Sequence, residues 1–156
     1  MIFARQHWRL GGDMEDGLIF LTQPGRWEGE GTILLPLGQQ TLPFKSTWEG
    51  NGRWWVHRVY LQDVEEPVMN AYRITHQDQR AVIQMESPHL GAAEGFLLIG
   101  EGRVGWEFKG EEFLGYELFQ RRDDGSYDHI AEFCNPGGLQ TKITGVLRWV
   151  SSEASF

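Results

Sequence analysis

The sequence is poor in cysteine. Cys134 stands alone, so no internal disulfide can form, and a reducing setting is expected. Long apolar runs are lacking too. Leu18-Ile19-Phe20-Leu21 and Phe96-Leu97-Leu98-Ile99 are the best the chain offers, far short of a membrane-spanning helix. The stretch from Met1 to Phe20 has no apolar core of the kind a secretory leader carries, so the expected location is cytoplasmic. Basic residues are also scarce. Lys and Arg total 14 against 22 Asp and Glu, for a net charge of -8. A nucleic-acid or anionic-membrane surface needs a basic footprint, so neither partner is expected.

Catalytic and cofactor motifs are equally thin. No P-loop, Cys-x-x-Cys, His-x-x-x-His or Gly-x-Ser-x-Gly occurs, so no metal site or catalytic residue is assigned and the cofactor stays unknown. Gly100-Glu101-Gly102-Arg103-Val104-Gly105 matches a dinucleotide fingerprint by spelling. The residues after it, Trp106-Glu107-Phe108, read as strand. No helix N-terminus would await a pyrophosphate, so the match is a hairpin turn. Cys134 reads as a buried thiol.

What the chain does hold is aromatic. In 156 residues there are seven Trp, nine Phe and four Tyr, enough for one domain with a substantial core. Residues 1–24 are the least regular. Phe3 to Leu10 suggests a short helix stopped by Gly11-Gly12, and Gln23-Pro24-Gly25 turns the chain into a first strand. From there turn signals recur every 8–15 residues or so, the spacing of an all-β sandwich or barrel. The predicted layout is an N-terminal segment over 1–24, a β domain over 25–150 and a tail over 151–156.

In the first strand Trp27, Gly29, Gly31, Ile33 and Leu35 share one face, and Glu28, Glu30 and Thr32 take the other. A two-residue turn at Gly38-Gln39 predicts the pairs Leu35/Leu42, Ile33/Phe44, Gly31/Ser46 and Gly29/Trp48. A turn at Asn51-Gly52 predicts Trp48/Trp55, Ser46/His57, Phe44/Val59 and Leu42/Leu61. The two registers put the same residues on one face. On this reading Gly29 makes room for two tryptophans.

Later turns extend the pattern. Asp78-Gln79 predicts Tyr72 beside Met85 and Ile74 beside Ile83. Glu101-Gly102 predicts Leu97 beside Trp106. Gly110-Glu111 predicts Phe108/Phe113 and Trp106/Gly115. Asp124-Gly125 predicts Arg121/Asp128, Phe119/Ile130 and Glu117/Glu132. A last strand spans about Leu139 to Val150. The fold class is therefore all-β, a single up-and-down antiparallel barrel of about ten strands, since closure removes the exposed edges.

His57 faces inward beside Ser46 and Gly31. It reads either as a polar anchor for a bound molecule or as a core histidine bonded to the Ser46 hydroxyl. Glu117 and Glu132, set opposite each other, would form an acid/base pair or the polar end of a pocket. A bulge, an outward face or neutralisation by Lys142 would each remove that role. Tyr72 and Asn70 share a face with Ile74. Trp48, Trp55, Trp106, Phe44 and Phe113 would supply apolar walls.

Gly25-Arg26-Trp27, heading the first of about ten strands, resembles the calycin superfamily of lipocalins and fatty-acid-binding proteins. In style it is nearest the nitrobindin-like bacterial barrels. The resemblance implies a closed barrel end at Trp27, packed by Arg148 from the final strand. It also implies an interior that holds a small molecule. Two departures stand out. Residues 130–156 hold no histidine of the kind that ligates haem in nitrobindin-like barrels, and the Arg-x-Tyr of fatty-acid-binding proteins is missing because Trp149 and Val150 follow Arg148.

Three functions fit. The first is a binding protein for a small, largely apolar ligand, with His57, Ser46, Tyr72, Trp48, Trp55, Trp106, Glu117 and Glu132 around it. The second, less favoured, is an enzyme using Glu117/Glu132 or His57 for acid/base chemistry. The third is a structural or homodimeric module with a filled core, its contact marked by Trp54, Tyr60 and Tyr116 on the outer face.

Overall fold

The computed structural model describes residues 8–10, 20–21, 24–35, 40–77, 80–88, 91–138 and 140–152. Among them the structure is all strand. In chain order these are β1 (Trp8–Leu10), β2 (Gly25–Leu34), β3 (Thr41–Gly50), β4 (Trp54–Leu61), β5 (Val68–Gln77), β6 (Arg80–Ser87), β7 (Gly91–Gly100), β8 (Arg103–Gly110), β9 (Leu114–Arg121), β10 (Tyr127–Cys134) and β11 (Gln140–Ser151). Strands β2 to β11 form one closed, antiparallel, up-and-down barrel: consecutive strands pair, and β11 pairs back onto β2. Closure leaves no free edge among these ten strands.

Strand β1 corrects the helix expected over Phe3 to Leu10. Trp8, Arg9 and Leu10 pair with Gly100, Ile99 and Leu98 of β7. They do so just past Val82↔Phe96, where the ladder between β6 and β7 ends, so the short strand takes up backbone groups that β6 leaves. Residues 3–7 lie outside the described residues, as do the turns expected at Gly38-Gln39 and Asp78-Gln79 and the end of the tail, 153–156.

The registers of β5–β6 and β7–β8 stand as expected, with Tyr72↔Met85, Ile74↔Ile83 and Leu97↔Trp106. Three others slip by two residues. In β2–β3 the pairs are Trp27↔Trp48, Gly29↔Ser46, Gly31↔Phe44 and Ile33↔Leu42. In β3–β4 they are Trp48↔His57 and Ser46↔Val59, and in β8–β9 Trp106↔Glu117 and Phe108↔Gly115. A slip of two keeps every side chain on its face, so the inward set survives.

The fourth slip is by one residue and turns one strand over. β9–β10 pairs Phe119↔His129 and Glu117↔Ala131, with Glu132 opposite Tyr116. The cause is the loop. Arg122 N donates to Ser126 O, and Gly125 sits at φ 87°. That is a three-residue hairpin loop with a left-handed glycine, where a two-residue turn had been read. The Asp124 carboxylate accepts from Ser126 N at 2.9 Å and holds the loop. The expected Arg121–Asp128 pair is replaced by Arg122–Asp128 at 3.8 Å.

The core is aromatic and runs the length of the barrel, from Trp27 and Tyr127 at one end to Phe113 and Phe133 at the other. Phe20, fully buried, lies at the barrel axis and touches rings from five strands. Its centroid is 5.5 Å from Trp27, 5.3 Å from Trp48, 5.8 Å from Trp55, 4.5 Å from Phe119 and 6.0 Å from Tyr127. This plug replaces the expected Trp27–Arg148 contact. Arg148 pairs with Glu28 on the outer face and is exposed, so Trp27 is packed by Phe20 and Tyr127 instead.

The glycines also change roles. Gly29 accommodates the Ser46 hydroxyl and Leu147, and Gly31 lies against Thr144 and Gly145 where β2 meets β11. Gly50 is the one that admits a tryptophan, for a Cβ there would fall within the Trp55 indole. Gly50→Ala should therefore destabilise the fold by at least about 1–3 kcal/mol, the usual cost of overpacking a core. Urea unfolding followed by tryptophan fluorescence checks this.

Candidate functional site

Three inward-facing strands build one side of the interior. β3 contributes Ser46 and Trp48, β4 contributes Trp55 and His57, and β5 contributes Asn70 and Tyr72. β8, β9 and β10 face them with Trp106, Glu117, Phe119 and His129. Of the eight residues expected to line a pocket, seven are buried here: His57, Ser46, Tyr72, Trp48, Trp55, Trp106 and Glu117. Glu132 is the exception. The one-residue register places it on the outer face, where Lys142 lies 3.8 Å away. The expected Glu117/Glu132 pair does not exist.

A different partner takes its place. Tyr72 Oη donates to Glu117 Oε1 at 2.7 Å, and His129 Nε2 donates to Glu117 Oε2 at 2.8 Å. This chain crosses the barrel from β5 to β9 and on to β10. Glu117 and His129 are both buried, 2% and 5% exposed, and lie in direct contact. Removing His129 would leave Glu117 without its nitrogen partner in an apolar interior, the costly case for a buried carboxylate. His129 lies flat on Phe119, 4.4 Å between centroids, so its ring is fixed by stacking as well.

His57 is held differently. Its ring stacks on Trp48 at 4.0 Å, and Asn70 Nδ2 donates to its Nδ1 at 3.4 Å. The Ser46 hydroxyl expected beside it instead sits across from Val59 and against Gly29. Burial pushes the His57 imidazole well below the usual histidine range, and the nearby His129 adds to the effect. Burial, and then Glu117, push the Tyr72 phenol well above its ordinary value.

Several buried polar atoms have no protein partner. These are the indole Nε1 atoms of Trp48, Trp55 and Trp106, with His57 Nε2 and Asn70 Oδ1. Native interiors rarely leave such groups unmade, and each costs about 1–3 kcal/mol when they are. Above them the inward-facing Ile33, Leu42, Val59, Leu61, Val68 and Ile143 are only half-buried, whereas the Phe20 end is closed. At the same end as Ile33 and its neighbours Phe44, Met85, Phe108, Phe113 and Phe133 are buried, so the partly exposed inward positions lie along β2 to β5 and β11. A groove of about 850 Å³ lies elsewhere. It opens on the outer wall of β5 to β8 beside Arg73, Glu86, Glu94 and Lys109 and shares little with this chemistry.

No group of three or more metal-ligating side chains forms among the described residues. Cys134, expected to be buried, is partly exposed, its Sγ 3.4 Å from Asn135 O. Trp54 and Tyr60 do lie on the outer face and are exposed, while Tyr116 is largely covered. Sequence reasoning missed His129 and Phe20. His129 was hidden by the one-residue register error, and Phe20 lay in the segment read as irregular.

A scan against protein-family models finds no match, and a search of the curated proteins finds no relative. The geometry therefore carries the functional reading.

Two outcomes follow. Tyr72→Phe keeps the ring but strips one hydrogen bond from a buried carboxylate. It should cost about 1.5–3 kcal/mol in urea unfolding, the range for bonds to charged groups. The pH dependence comes from His57. Unfolded, it takes a proton near its ordinary pKa of 6.5, and folded only at lower pH. The unfolded state then binds more protons between those points, so stability is full above about pH 6.5 and falls as the pH drops through that window, by up to about 1.4 kcal/mol per pH unit. His57→Gln should flatten that slope in unfolding titrations run side by side.

Proposed function

We propose that this chain is a binding protein that holds a small, largely apolar molecule inside its barrel. One observation carries the reading: a cluster of buried, unpartnered polar atoms at the foot of a half-exposed apolar wall. Pockets that bind small molecules have this composition, apolar walls with a few placed polar groups. A closed ten-strand barrel is compatible with the calycin resemblance, which argues in the same direction by analogy of fold. A reducing, cytoplasmic setting goes with the single thiol.

The acid/base reading has less to support it. Glu117 has both oxygens committed to protein donors, which suits a fixed strut better than a proton carrier. His57 is paired with Asn70 rather than with a hydroxyl it could activate.

Native mass spectrometry of protein purified from its own host should show a retained molecule of a few hundred daltons or less, released on denaturation. Bare protein from the host, together with no binding of added apolar compounds, would overturn the reading in favour of a filled structural barrel.

A further inference from the structure

We infer that the molecule held in this barrel presents an uncharged hydrogen-bond acceptor, a carbonyl of the ketone, lactam or quinone kind, on a flat apolar body, and that it is not a carboxylate. The inference rests on the binding reading above and concerns the chemistry of the guest.

The donor inventory comes first. Asn70 Nδ2 donates to His57 Nδ1, so that nitrogen is the acceptor of a neutral ring and the hydrogen sits on Nε2. His57 Nε2 then joins the indole N–H groups of Trp48, Trp55 and Trp106 as a buried donor without a partner. All four stand at inward-facing positions of β3, β4 and β8. Against them stands one unpartnered acceptor, Asn70 Oδ1. The interior has donors in excess, and an oxygen with two lone pairs answers two of them at once.

Charge decides which oxygen. In the interior Glu117 and His129 lie in direct contact and answer each other. No lysine or arginine is buried among the described residues. A carboxylate would arrive with no free cation to meet it, so it would bear its desolvation cost unrelieved. A neutral carbonyl accepts the same hydrogen bonds without that cost. The walls favour a flat body. Trp48 and His57 already stack face to face, and Trp106, Phe108 and Phe44 supply further aromatic faces.

Calorimetric titration with three probes of similar size tests this: methyl naphthyl ketone, naphthoate and ethylnaphthalene. The ketone should bind about tenfold tighter than either of the others, the worth of one or two satisfied donors. Trp48→Phe and Trp106→Phe each keep a ring and remove one N–H. They should shrink the ketone's advantage over the hydrocarbon several-fold, the ratio of the two affinities being the readout. Naphthoate binding as tightly as the ketone, or ketone and hydrocarbon binding alike, would overturn the assignment while the barrel remained a binding site. Failure of all three would sink the binding reading itself. Should a tryptophan variant fail to fold, the order of the three probes on the unaltered protein still decides.

Discussion

Volume is the constraint on which the rest of this structure depends. A closed barrel widens as strands are added, and ten strands enclose more space than ordinary aliphatic side chains fill. Any unfilled interior loses dispersion contacts on every wall. The chain meets this at one end with its largest side chains. Trp27, Trp48, Trp55 and Tyr127 project inward, and Phe20 comes in from outside the barrel ladder to sit among them. At the other end the inward positions carry Gly31, Ile33, Val59, Leu61 and Ile143, and these stay partly exposed. Across from them Phe108, Phe113 and Phe133 are buried, so the partly exposed positions are confined to one side of that end.

The polar chain from Tyr72 through Glu117 to His129 spans the interior against that background. Its Tyr72–Glu117 bond joins β5 to β9, which do not neighbour each other in the ladder, so it braces the barrel across its width. A buried carboxylate is a poor source of net stability, but it is sensitive to the loss of either partner. The same holds for position. With both oxygens occupied, Glu117 cannot swing, and the aromatic rings beside it keep their faces fixed.

Much of this was legible in the sequence, and the failures follow one rule. Strand faces have a period of two, so misreading a turn by an even count leaves each face intact. That is why the slips at β2–β3, β3–β4 and β8–β9 still gave His57, Ser46, Trp48 and Trp106 an inward position. At Asp124-Gly125 the misreading was odd. A glycine in the left-handed region serves a three-residue loop as well as a two-residue turn, and residue type alone does not distinguish them. One residue of error removed His129 from the interior and put Glu132 in its place. Phe20 escaped for another reason. It makes its contacts at long range, and no local period announces a side chain delivered from a connecting segment.

The corrected register changes the meaning of the site. With Glu132 inside, the interior would have carried two carboxylates and called for a cation or a shared proton. With His129 there instead, the one inward-facing buried carboxylate has both oxygens answered within the protein, by Tyr72 and His129. What remains unanswered is a set of N–H groups rather than an ion. Recognition in such a place rests on hydrogen-bond matching in a low-dielectric setting, where an unmet donor is costly and an unmet charge far more so. A single residue of strand register thus separates a chamber suited to cations from one suited to neutral acceptors.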